Sequence, residues 1–182
     1  MNDATKAAVW QDTLDADYNV RYWTILAHHY KTREKFTRIF LAVLTTGAVA
    51  GWFSGFKNLL NFSISSAASI CATVVLPKLK WGDIATQSLS ERRAWEDILA
   101  DYKGLSLELE NGASEDSVVK GLEKMRKKCA KQAGGKDVLP RIPSLEKKAR
   151  KQICTFYNIP DTAPPDWVDK LTAKFLTRRL TL

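Results

Sequence analysis

The chain has 182 residues, 45% of them apolar and 26% charged, and 28 Lys and Arg against 20 Asp and Glu leave a net charge of +8. That length suits one domain, or a small domain with an appendage, and a mean hydropathy of −0.25 matches an ordinary soluble chain. Three widely spaced cysteines, Cys71, Cys129 and Cys154, without a CxxC pair, argue against a disulfide framework or a zinc site and for a reducing compartment.

The averages conceal an uneven distribution along the chain. From Met1 to Ile39 there is no Gly or Pro, and Trp10, Leu14, Tyr18, Tyr22, Ile25 and His29 recur every three or four residues. This periodicity predicts one unbroken helix, a cytoplasmic arm over residues 1–38, whose aromatic stripe serves packing. The carboxylates Asp12, Asp15 and Asp17 read as the solvated face of that helix.

From Ile39 to Pro77 the only charge in 39 residues is Lys57, and the other 47 charges lie in the remaining 143. A helix over Ile39–Phe56 would extend roughly 27 Å, and Asn58–Pro77 offers a second uncharged run of twenty. A bilayer core is about 30 Å thick and takes roughly 17–25 residues per helix. The expectation is a hairpin: a first span at 39–56, a turn at 57–60 and a second span at 61–78. Lys31, Arg33, Lys35 and Arg38 precede it, and Lys78 and Lys80 follow, so both ends belong on the cytoplasmic side. Trp52, Phe53 and Phe56 near the turn, and Phe36 and Trp81 at the other edge, fall where interfacial aromatics would. The alternative is a soluble core, and the serines and threonine of the second run (Ser63, Ser65, Ser66, Ser69, Thr73) favour it. No cleavable leader is expected, because the first apolar run begins only at Ile39.

Gly47, Gly51 and Gly55 repeat at four-residue spacing, a smooth stripe that lets another helix backbone approach. Ser65, Ala68, Ser69 and Ala72 supply small residues to match it, either within the hairpin or between protomers. Ser63, Ser66 and Thr73 fall near one face and are candidate pore-facing residues in a homo-oligomer; the inert reading is hydroxyls bonded to their own helix. No ionisable residue sits in the middle of a run, which argues against a pump or proton carrier.

Beyond the runs, Trp81, Ala85, Ser88, Trp95, Leu99, Tyr102 and Leu105 mark a returning helix over 79–106, with Pro77 and Gly82 bending or breaking the chain before it. Matched hairpin ends bring together residues whose numbers sum to about 116, so that Leu14 lies near Tyr102, Tyr18 near Leu99 and Arg21 near Trp95. "ENGASED" reads as a loop opening a basic C-terminal helical domain at 107–182. Its helices are expected from a Ser114 or Asp116 cap to about Gln132, from Ser144 onward, and from Trp167 to about Leu180.

Between Lys120 and Lys151 twelve basic residues face three acidic ones, a local surplus of nine that exceeds that of the whole chain. Such a patch suits anionic lipid, nucleic acid or a phosphate-bearing ligand, and Lys124, Lys127, Lys128 and Lys131 are its candidate contacts; the plain alternative is a solvated face. No catalytic motif appears. His28 and His29 are adjacent and diverge on a helix, "GGK" at Gly134–Lys136 lacks the upstream glycine of a P-loop, and GxSxG and HExxH are absent. The chain is read as a non-enzyme with no cofactor.

In the order of its parts the chain resembles the SLATT group of prokaryotic two-span proteins. A tryptophan-led helix with "RYW" (Arg21–Trp23) enters the first span, and after a tight turn and a second span the helix "ERRAWEDILADY" (Glu91–Tyr102) returns. The likeness covers roughly residues 8–106. It implies an effector of a bacterial anti-phage system that compromises the inner membrane when a cyclic nucleotide signal or a regulatory partner protein acts on it. The resulting expectation is an all-α membrane protein: a transmembrane hairpin extended by cytoplasmic helical arms, a small C-terminal helical domain, and both termini cytoplasmic. Its partners would be membrane lipid and further copies of itself. The competing readings are a non-lytic membrane adaptor that docks a soluble partner and, least favoured, a soluble helical nucleic-acid binder.

Overall fold

The computed structural model describes residues 3–53, 80–133, 139 and 141–159, with side chains of the first helix described as far as Val43. Four helices and no strand are found among them: α1 (Asp3–Phe53), α2 (Trp81–Glu110), α3 (Glu115–Ala133) and α4 (Pro143–Phe156). The expected turn at 57–60 and second span at 61–78 lie outside the described residues, as does the helix expected from Trp167. Among the described residues no helix is long and apolar enough to cross a membrane.

The ends of these helices follow local chemistry. α1 meets no Gly or Pro before Gly47, so nothing interrupts its hydrogen-bond ladder over 51 residues. α2 opens after Lys80, whose φ is +43°, and the Ile84 amide donates to the Lys80 carbonyl at 3.0 Å. It runs past the expected 106 and stops at Gly112 (φ +83°), where Gly112 N–H donates to Leu109 and Ala113 N–H to Glu108. That paired pattern needs a left-handed residue, which glycine adopts without a Cβ penalty. α4 closes the same way: Asn158 takes φ +53° and Ile159 N–H donates to the Cys154 carbonyl at 2.8 Å.

Of the two expected caps on α3, Ser114 is the one used, its Oγ accepting from the Ser117 amide at 3.4 Å. Glu115 and Asp116 in the first turn and Lys131 in the last complement the helix dipole. α4 starts at Pro143, one residue before the expected Ser144, because proline at the first helical position gives up only an amide that has no partner there. The amide of Ile142 is taken up by the Tyr22 hydroxyl at 3.1 Å.

The chain divides into two compact units, Met1–Trp23 with Glu91–Leu182, and Thr24–Ser90. The expected separate domain at 107–182 is therefore not how the described chain is partitioned: α3 and α4 pack with the first turns of α1 and the last of α2. Contacts fix the directions. Thr5–Glu115 and Asp12–Arg126 run α3 parallel to α1, whereas Tyr22–Ile142 and Trp10–Tyr157 run α4 antiparallel to it. Glu91–Gln132 and Tyr102–Cys129 set α2 and α3 antiparallel. The core of this unit includes Val9, Leu14, Tyr18, Tyr22, Ile98, Tyr102, Val118, Leu122, Ala149 and Ile153. Burial of this much apolar area is its principal stabilisation.

Within the second unit, Leu26, Ala27, Tyr30, Ala85 and Ser88 are buried. A Cβ on Gly82 would lie 3.1 Å from Glu34 Oε1, and 34 and 82 add up to the expected 116.

Candidate functional site

The unit containing α3 and α4 carries the candidate site, and its position follows from how α3 is oriented. Val118, Leu122 and Cys129 recur at helical spacing and are buried. Cys129 Sγ lies 3.6 Å from the Tyr102 hydroxyl; burial raises both the thiol and the phenol pKa above their ordinary values. Gly121 lets α2 and α3 approach closely: a Cβ there would sit 2.5 Å from Leu105 Cδ1.

With this face turned inward, Lys120, Lys124, Lys127 and Lys131 fall on the opposite side. At 100° per residue they cluster within one narrow stripe centred away from Val118 and Cys129. All four are exposed, and none has an ion pair among the described residues. Three belong to the set expected from sequence. The fourth expected lysine, Lys128, is a correction: it stands a quarter-turn away and pairs with Asp101 at 2.7 Å, because that flank faces α2. Lys120 takes its place, and a helical projection of the residues opposite Val118, Leu122 and Cys129 would have found it.

Arg126, on the other flank, is held by Asp12 at 2.8 Å, and this hydrogen bond raises the guanidinium pKa. Beside the stripe, a groove of about 380 Å³ between α2 and α3 is lined by Asp101, Gly104, Glu108, Ser117, Gly121 and Lys124.

The carboxylates of α1 are not the solvated face that sequence suggests. Asp17 is 6% exposed and is forked by Arg21, whose Nε lies 3.1 Å from both of its oxygens. The same guanidinium sits 4.7 Å from the centre of the Phe156 ring. Asp12 pairs with Arg126, and half-buried Asp15 has its pKa raised to about 8, first by burial and then by Asp12. α3 and α4 cover this side of α1, a tertiary event that one helix's periodicity does not contain.

Of the expected arm-packing residues, Leu14, Tyr18, Tyr22, Trp95, Leu99 and Tyr102 are buried. Burial also raises the Tyr18 pKa. Trp10 is corrected: it is 49% exposed and meets Tyr157 edge-on at 5.3 Å, while Val9 takes the buried position beside it. Burial likewise pushes the Tyr157 phenol up to about 12. Among the span residues, Gly47 and Gly51 fall within α1 but beyond its described side chains. Gly55, Ser63, Ser65, Ser66, Ala68, Ser69, Ala72 and Thr73 lie outside the described residues.

Among the described residues no group of three His, Cys, Asp or Glu side chains could hold a metal ion. Compared with known protein families, with curated proteins and with solved structures, the chain matches none.

Proposed function

We propose that the chain is a two-span inner-membrane protein whose cytoplasmic helical unit receives a signal and whose oligomerised spans then permeabilise or depolarise the membrane. The observation that carries the membrane part is a stripe on α1. Phe36, Ile39, Phe40 and Val43 are 68%, 50%, 63% and 65% exposed, at the i, i+3, i+4, i+7 spacing of one helix face. Lys31, Arg33 and Lys35 precede the stripe, Arg38 falls within it, and it leads into the uncharged run. Four large apolar side chains uncovered on one face call for a covering, which lipid or neighbouring spans supply. The effector role in bacterial defence rests on the resemblance of residues 8–106, and the small-residue stripe Gly47, Gly51 and Gly55 supports assembly through the spans.

The test is to induce the full chain in bacteria, follow membrane potential with a voltage-sensitive dye, and probe alkaline-washed membranes for the protein. Retention with depolarisation, and loss of depolarisation but not of retention in Gly51→Leu, is the expected result. Retention without depolarisation, even when a signal is supplied by infection, would replace the effector by a non-lytic adaptor. Release into the wash would overturn the spans.

A further inference from the structure

Resting on the self-association in that reading, we infer that the groove between α2 and α3 is where the helical units of two copies meet, α2 of each lying against α3 of the other. The groove has a volume of about 380 Å³ and a floor of Ala100, Gly104, Leu105, Gly121 and Met125. Exposed Leu107 stands one turn from Gly104 at its α2 edge. Gly121 has its explanation inside the chain, since a Cβ there would strike Leu105. Gly104 has none. It lies in the interior of α2, where glycine weakens a helix, and a Cβ on it would meet nothing within 4 Å. Bare backbone facing open space beside an exposed leucine suits a helix that approaches closely from outside the chain.

The two walls of the groove select what that helix is. Asp97, Asp101 and Glu108 share one exposed face of α2, and Lys120, Lys124, Lys127 and Lys131 one of α3. Asp101 and Lys128 already bridge the walls within the chain at 2.7 Å. Asp97, Glu108 and the four lysines have no ion pair among the described residues. A polyanion at the lysines would meet a carboxylate wall, so the complement must carry both signs in reversed order. The same groove after a half-turn does. A two-fold axis across the helices would set carboxylates on carboxylates; one along them sets each α2 on the other copy's α3, antiparallel as within the chain. That rotation keeps every residue at its own level. Within the chain, α2 and α3 residues at one level have numbers that sum to about 227, from Glu91 with Gln132, Asp101 with Lys128, Tyr102 with Cys129 and Leu105 with Gly121. Glu108 thus comes level with Lys120 of the other copy, and Asp97 falls between its Lys127 and Lys131. Opposite charges so placed fix register and partner, while Gly104 and Leu107 supply the close apolar contact.

The experiment mixes the full chain, labelled with light or heavy nitrogen, in mild detergent and adds a carbodiimide, which joins a carboxylate to a lysine only in direct contact. Mass spectrometry reads the cross-linked peptides, and light scattering reads the association state. Glu108–Lys120 and Asp97–Lys127 or Asp97–Lys131 cross-links should appear with mixed isotopes, while Asp101–Lys128 stays within one isotope. Gly104→Leu should keep or raise the unfolding midpoint, leucine being the better helix former, and cut the mixed cross-links about tenfold. Lys120→Glu and Glu108→Lys chains place like charges at that pair, so positions 108 and 120 should join in neither chain alone and should join when the two are mixed. Same-isotope cross-links only, no joining in the mixture, or mixed cross-links undiminished in Gly104→Leu would each overturn the interface. If the copies nevertheless associate, the self-association proposed above stands without it; a chain that is monomeric throughout overturns both.

Discussion

Asp15 offers the sharpest quantitative test of how the helices pack. Its carboxyl is half-buried on α1, near Asp12, and its pKa rises from 3.8 to about 8 in the fold. The unfolded chain ionises near 3.8, so between the two values the folded state holds a proton that the unfolded state has released. The group's contribution is fully present below about pH 4 and is lost as pH rises through about 8, above which the penalty is constant. From pH 5 to pH 9 about three pKa units are traversed, an upper bound of about 4 kcal/mol. Partial solvent contact halves this to about 2 kcal/mol. Asp15→Asn keeps the shape and removes the titration. Denaturant unfolding of the two proteins, followed by circular dichroism, should therefore give similar stabilities below about pH 4 and an advantage to the variant of about 1 kcal/mol at pH 5. From pH 5 to pH 9 that advantage should grow by about 2 kcal/mol, whatever the other groups contribute, since they are common to both. Parallel pH profiles for the two chains would refute the burial of Asp15 and the placement of α3 beside it.

The remaining predictions probe the same unit. Ile153 is fully buried on α4, and Ile153→Ala should cost about 2–4 kcal/mol in the same unfolding assay; a cost below about 1 kcal/mol would mean that α4 is not packed there. Gly121→Val places a branched side chain where a Cβ already stands 2.5 Å from Leu105, and overpacking should destabilise the unit by about 1–3 kcal/mol, exceeding the few tenths gained in helix propensity. Ser114→Ala removes a long, exposed cap bond of 3.4 Å and should cost about 0.5 kcal/mol, with amide exchange faster at Ser117.

Some of the arrangement was legible in local pattern. The helical period of Trp81 to Leu105, the absence of Gly and Pro before Ile39, and the "ENGASED" loop each carry their own physical cause, and α1, α2 and the start of α3 follow them. The antiparallel register that sums to 116 is likewise simple geometry, and Gly82 lies against Glu34 in agreement with it. Even Lys120 was legible, to a projection that kept only the face opposite Val118, Leu122 and Cys129.

What a sequence alone determines here is whatever one element decides for itself: where helices cannot break, where a left-handed residue can end them, and which stretches hold no charge. Tertiary structure decided the environment of each face. Asp17 and Asp12 lie on the polar side of α1, yet α3 returns to that side to give Asp12 its partner Arg126, and α4 lays Phe156 against Arg21, the α1 side chain that forks Asp17. Trp10 carries the periodicity of a buried stripe but stands at the edge of the packing, against Tyr157. Lys128 and Lys127 are adjacent in sequence, and only the position of α2 neutralises one and leaves the other free. The reason is common to all of them. A helix's periodicity specifies which residues share a face, but what covers that face depends on contacts between residues far apart in the chain, such as Asp12 with Arg126 and Tyr22 with Ile142.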